Sequence, residues 1–302
     1  MDLLYKTICY LIFGLIILIK ANAQIIDVKK YAIENKSDFF NEKFIRSNSV
    51  KNIQAEIFYK KELKPMQSSN LMEQYFFNND GNLKKHIATN KISGNKIDTT
   101  VIYFQYINDV LSKEIQLDSK GFFSHAYERD DNGLIIKDTY AREENKGYSR
   151  FNFIQGKSVE IFFESFTYLI DNGKIMKKRI ANSDGKPYNE ITYDYDNFDN
   201  LIKETSTLIV TKKSRFKEYK YNEYHQLIEK KEVSNFFGNS TIIHNYTYDE
   251  VGNLLSEKIS KNGVPKTSIE FVYDGLMMLK AILKKDENSS VIKITKFKSD
   301  FF

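Results

Sequence analysis

The sequence predicts an all-β fold: tandem antiparallel β-hairpins forming an open curved sheet behind a short N-terminal cap. Three observations predict it. The phrase Tyr246-Thr247-Tyr248-Asp249-Glu250-Val251-Gly252-Asn253-Leu254 returns in degraded copies about every 25 residues from Tyr75 onward. An aromatic–x–aromatic step, an Asp/Asn/Gly turn and an aliphatic residue together write one hairpin. Aromatic content is 14%, all of it Tyr and Phe, which favour strands. Only three prolines and 13 glycines are present, few enough to sit mostly at turns.

The chain begins with an export signal over residues 1–23. Lys6 supplies its positive start, residues 7–19 are apolar, and Ala21-Asn22-Ala23 is a small-x-small cleavage pattern. Gln24 is then the first mature residue. The apolar stretch is short for a membrane span, which needs about 20 residues. Lys20 interrupts the join to the cleavage site, so retention as an anchor stays open. The single cysteine, Cys9, falls inside this stretch, leaving the mature chain without disulfide or thiol nucleophile. Periplasm, outer-membrane surface and medium are the compartments this predicts.

Residues 24–70 form the predicted cap. Ser37 is a good N-cap for a short helix to Arg46, with Asp38 and Glu42 early and Phe40 and Phe44 sharing its buried face. Residues 50–60 read as a first strand and residues 65–70 as a polar loop. Such a cap covers one end of a repeat array.

Residues 71–302 form the repeat domain, in which two kinds of turn alternate. The first appears at residues 79–83, 131–134, 171–175, 199–201 and 252–254, where Asn and Gly accept positive φ and Asp bonds its own backbone. The second appears at residues 119–121, 145–147, 184–187 and 262–265. The strands between them alternate: in Ile191-Thr192-Tyr193-Asp194-Tyr195 the apolar side chains share one face. This favours antiparallel hairpins with one wet face. Residues 158–170 are a break, with Phe162, Phe166 and Tyr168 opposed by Phe163 and no register fixed.

The phrase at residues 246–254 closely resembles the tyrosine–aspartate (YD, or Rhs-type) repeat of bacterial surface and secreted proteins. Weaker copies stand at residues 75–83, 193–201, 219–227 and 271–276. The resemblance implies hairpins wound into a long ribbon, which large family members curl into a shell around a toxin. No toxin domain follows Phe302, and some nine hairpins are too few for a shell, so an open sheet is expected. Carbohydrate binding is what the resemblance suggests as an activity.

Chemistry for catalysis is sparse. His86, His125, His225 and His244 show no metal-ligand spacing, and no nucleophile elbow, phosphate loop or dinucleotide fingerprint occurs. Asp194, Asp196 and Asp199, and the run Asp130-Asp131-Asn132, offer oxygens of the kind Ca²⁺ prefers. Both coincide with turns that need Asp and Asn anyway. His225 occupies a turn position that is Gly elsewhere. The net charge is +5 and dispersed, so nucleic acid is not an expected partner. Tyr195, Tyr221, Tyr248 and Tyr273 recur in phase, as a structural ladder or as a platform for sugar rings. The expectation is a non-enzymatic binding or scaffolding module without cofactor, its partner a glycan or another protein. An antitoxin-like or immunity protein is the alternative.

Overall fold

A computed structural model describes residues 24–302 except 35, 37, 94, 95 and 237. The predicted signal and Ser37 lie outside the described residues. The alternating segments form eighteen strands. They are β1 (Val50–Lys61), β2 (Gln67–Phe77), β3 (Leu83–Ser93), β4 (Lys96–Ile107), β5 (Val110–Asp118), β6 (Gly121–Arg129), β7 (Ile135–Asn145), β8 (Gln155–Asp171) and β9 (Lys174–Ala181). The second half comprises β10 (Pro187–Tyr195), β11 (Leu201–Leu208), β12 (Ser214–Tyr221), β13 (Leu227–Ser234), β14 (Ser240–Tyr248), β15 (Leu254–Lys261), β16 (Val264–Tyr273), β17 (Leu279–Asp286) and β18 (Val291–Phe301).

Each strand pairs antiparallel with its neighbours in sequence, and β1 pairs with β18 through partners such as Gln54 with Lys298 and Ala55 with Phe297. The sheet is therefore a closed barrel, which corrects the open curved sheet expected from the sequence. Residues 50–60 are the closing strand, not part of a cap. Closure leaves no unpaired edge. Eighteen strands about 4.8 Å apart give a diameter of about 27 Å or more, wide enough for a lumen.

Cross-strand partners share a face, so the register separates the two walls. Ile53, Tyr75, His86, Ile102, Gln116 and Phe123 follow one another across β1 to β6 on the inner wall. The outer wall is laced with ion pairs. Glu218 bridges Lys203 and Lys231 at 3.8 and 3.2 Å, and Glu190 meets Lys177 and Arg179 at 3.0 Å each.

The N-terminal segment does not cover an array end from outside; it plugs the barrel. Ile26 bridges to Phe40, and the backbone bonds Asp27 N–Phe39 O and Asn41 N–Ile25 O flank that bridge. A π-helical turn, Lys29–Ile33, starts on the carboxylate of Asp27, which accepts from the backbone of Lys29 and Lys30. Helix α1 spans Glu42–Ser47, and its N-cap is Asn41, whose Oδ1 accepts from Lys43 N and Phe44 N. The helix thus starts later than expected, and Phe40 precedes it. Phe40 packs edge-on against Tyr75 and Phe77 at 4.9 and 5.8 Å, and Tyr31 against Phe271 at 5.5 Å. Ile25, Ile26, Phe40, Phe44 and Ile45 form one core with Leu227, Tyr246, Leu254 and Leu279. One segment touching so many strands on one face must lie on the concave side. A Cβ on Gly81 would stand 2.2 Å from Glu42 O, so only glycine lets this turn approach the plug.

Two further details differ from expectation. Residues 67–70 open β2 rather than forming a loop. Residues 158–170 belong to the 17-residue strand β8, continuous but bulged opposite Tyr140 and Ala141. Inside, β8 presents Phe162, Phe166 and Tyr168. Outside, Phe163 receives Lys137 Nζ at 4.6 Å from its ring. This explains the aromatics on both faces.

Candidate functional site

The repeated phrase builds one end of the barrel. In six turns at this end an Asx side chain accepts from the backbone two and four residues on: Asn78, Asp130, Asp196, Asn222, Asp249 and Asp274; Asn182 does the same in the β9–β10 turn at the opposite end. The fourth residue takes positive φ whether it is Gly252 (97°) or, elsewhere, Asp199 (68°), His225 (60°) or Met277 (61°). Glycine is favoured there but not obligatory. Asp130 and Asp196 thus spend an oxygen on turn backbone, as does Asn182 in a turn that sequence reading placed in the second class.

The phased tyrosines lie on the inner wall near this end. Tyr195, Tyr221, Tyr248 and Tyr273 each donate a hydroxyl to a carbonyl on the adjacent strand, at Ile175, Leu201, Leu227 and Leu254. The distances are 3.1, 2.8, 2.7 and 2.8 Å. Tyr106 and Tyr168 repeat the bond to Leu83 and Ile135, and in β6 Arg129 reaches Leu111 O in its place. Each bond staples a hairpin to the one before it, since the accepting residue is the first or second of the last strand of the preceding hairpin. Burial raises the pKa of these phenols, that of Tyr221 up to about 12, so they remain donors. The structure therefore brings the four predicted residues together as a row with committed hydroxyls, leaving only their ring surfaces for a ligand.

The plug is tied to the wall by a polar cluster. Glu257, 5% exposed, accepts from Tyr31 at 2.5 Å and pairs with His244 Nδ1 at 2.7 Å. Burial opposes its ionisation, yet the bonds from His244 and Tyr31 prevail and hold the carboxyl below its usual range. Lys230 meets Glu232 at 2.9 Å and Lys217 meets Glu204 at 3.1 Å on the same wall.

Among the described residues, none from β5 to β10 belongs to the plug core. On the wall from β6 to β8, beyond that core, Phe123 and Tyr140 stack at 5.6 Å with planes 7° apart, and Phe162 lies 5.2 Å from Tyr140. Phe162 is 45% exposed. His125 flanks Tyr140 at 5.1 Å and bonds Asp138 at 3.0 Å, which raises the imidazole pKa despite partial burial. Deeper in, Lys178 Nζ sits 3.8 Å from the centre of the Phe166 ring, its pKa lowered by burial. The arrangement is an aromatic surface edged by a cation, an imidazole and carboxylates, suited to a ligand with flat apolar faces and hydroxyl edges. Sequence reading missed these residues because their strands carry poor copies of the phrase. The signal available was aromatics at alternate positions, Phe123, His125 and Tyr127, against Phe162.

No family model matches the chain, and no curated protein does. Similar solved structures include a porin-like protein from Bacteroides uniformis, 13% identical over 83% of this chain and 98% of that one, TM-score 0.42. A porin-like protein from Bacteroides vulgatus is 8% identical over 82% and 98%, TM-score 0.31. TcdB2-TccC3 without its hypervariable C-terminal region is 14% identical over 71% of this chain and 12% of its own, TM-score 0.31. Overlap this loose transfers no function. No YD/Rhs-repeat family assignment comes from these comparisons, and the closed 18-stranded ring does not support that description, whose implied form is an open ribbon.

Proposed function

We propose that the protein is an exported, non-enzymatic binding protein of the periplasm or cell surface whose barrel lumen takes a saccharide. The observation that carries this reading is the aromatic wall of Phe123, Tyr140 and Phe162, outside the plug's apolar core, with His125 and Asp138 at its edge. Stacked and tilted rings offer apolar faces to a sugar, while the polar edge offers partners for its hydroxyls. Export rests on Lys6, the apolar residues 7–19 and Ala21-Asn22-Ala23. The outer wall supports a barrel standing in water: a membrane-spanning barrel shows lipid an apolar band about 25 Å tall, where this one carries Glu218 and Glu190 with their cations.

A glycan array followed by calorimetry tests the reading. A retained glycan whose binding is lost in Tyr140→Ala and kept in Tyr248→Phe is the expected result. Binding indifferent to Tyr140→Ala, or no retained glycan at all, would refute it.

A further inference from the structure

The barrel end that holds the plug is crowned with apolar side chains. At the tips of four successive turns, the third residue is Phe198, Tyr224, Val251 and Leu276, exposed by 72, 74, 36 and 75%. Phe198 meets the His225 ring of the next turn edge-on at 5.0 Å, but the turn itself does not require an apolar residue here; the equivalent sites in two other turns are Asp80 and Asn132. Just below them Ile202, Ile228 and Leu255 also stand partly exposed. The apolar zone is shallow: in β11 it runs from Phe198 to Ile202 before Lys203 begins the ion pairs. At about 3.3 Å per residue the four steps cover at most about 13 Å along the chain, or about 10 Å along the barrel axis at a strand tilt of about 40°, the depth to which interfacial elements sink into a bilayer and well short of a span.

We propose that this crown is a membrane-contact surface that seats the barrel, plug end down, in the headgroup layer of a lipid bilayer. The sequence that precedes Gln24 selects a bilayer over a second copy as the occupant. Gln24 lies at the same rim, with its amide donating to Gly252 O in the turn that carries Val251. In sequence it follows the apolar residues 7–19, and the stretch from Ile19 to Gln24 spans at most about 18 Å. Membrane engagement of that segment, at export or as a retained anchor, therefore brings this end and no other against the lipid. Glu223 and Glu250 stand between the apolar tips, so the surface suits neutral rather than anionic headgroups. The lumen's other end then faces away from the membrane.

The chain contains no tryptophan, so single-tryptophan reporters are unambiguous. The chain from Gln24 onward holds the whole ring and plug. In it, Tyr224→Trp reports on the crown and Tyr148→Trp on the opposite end, where Tyr148 is fully exposed. With phosphatidylcholine vesicles containing brominated lipid, quenching is expected for the first reporter and not the second, and added phosphatidylserine should weaken it. Phe198→Ser with Leu276→Ser should lower vesicle partitioning by about a hundredfold, with an unchanged far-ultraviolet spectrum. Equal quenching of both reporters, failure to bind vesicles, or a lipid-independent dimer abolished by the same two substitutions would overturn the proposal.

Discussion

Removing one hydroxyl from the row of staples tests the account of the repeat. Tyr248→Phe keeps the ring and its packing and deletes only the donor to Leu227 O, a bond of 2.7 Å. A net hydrogen bond contributes about 0.5–1.5 kcal/mol, and the carbonyl left behind is half-buried, so a loss near the upper end, about 1–1.5 kcal/mol, is expected. For a domain of this size that lowers Tm by about 2–4 °C per kcal/mol. The four-residue variant with phenylalanine at Tyr195, Tyr221, Tyr248 and Tyr273 should lose about 4–6 kcal/mol, the bonds being separate. Chemical denaturation followed by circular dichroism reads both. A four-residue variant as stable as the parent would mean that these bonds merely accompany the fold.

Leu254, 1% exposed beneath the plug, should cost about 2–5 kcal/mol on replacement by alanine, measured by denaturant midpoint. Phe40→Ala should cost about 3–5 kcal/mol while leaving the strand signal intact, since the plug packs on the ring without being part of it. The Glu257 carboxyl is depressed in the folded state, so its stabilisation is present above its ordinary value of 4.5 and is lost as pH falls through the folded value. Glu257→Gln should flatten the dependence of stability on pH over that acid range; an unchanged slope would contradict the cluster with His244 and Tyr31.

What the sequence disclosed was local. Asx residues and positive-φ glycines mark turns wherever they occur, so the hairpins, the phase of Tyr195 to Tyr273 and the turn role of His225 were legible. Asn182 was missed because Asp184-Gly185 offers an equally good signal two residues later. Closure was not legible, because the pairing of β1 with β18 joins the two ends of the chain and no periodicity within a window reports on it. The plug was misjudged for a related reason: Phe40 and Phe44 announce burial but not the wall they meet. The tyrosine hydroxyls found carbonyls on the preceding hairpin, a partner that phase alone does not name. The bulge in β8 shifts its inner face, which kept Phe162 from being aligned with Tyr140.

Joining the first and last strands tests closure most directly. Gln54 and Lys298 are paired, outward-facing and exposed, and the chain from Gln24 has no native cysteine. Cross-strand Cβ atoms lie about 4.5–5.5 Å apart, close enough for a disulfide with slight adjustment. A closed barrel predicts that Gln54→Cys with Lys298→Cys forms an intramolecular disulfide under mild oxidation and raises stability. Free thiols, or cross-linked dimers in place of the internal bond, would mean that the two ends of the sheet never meet.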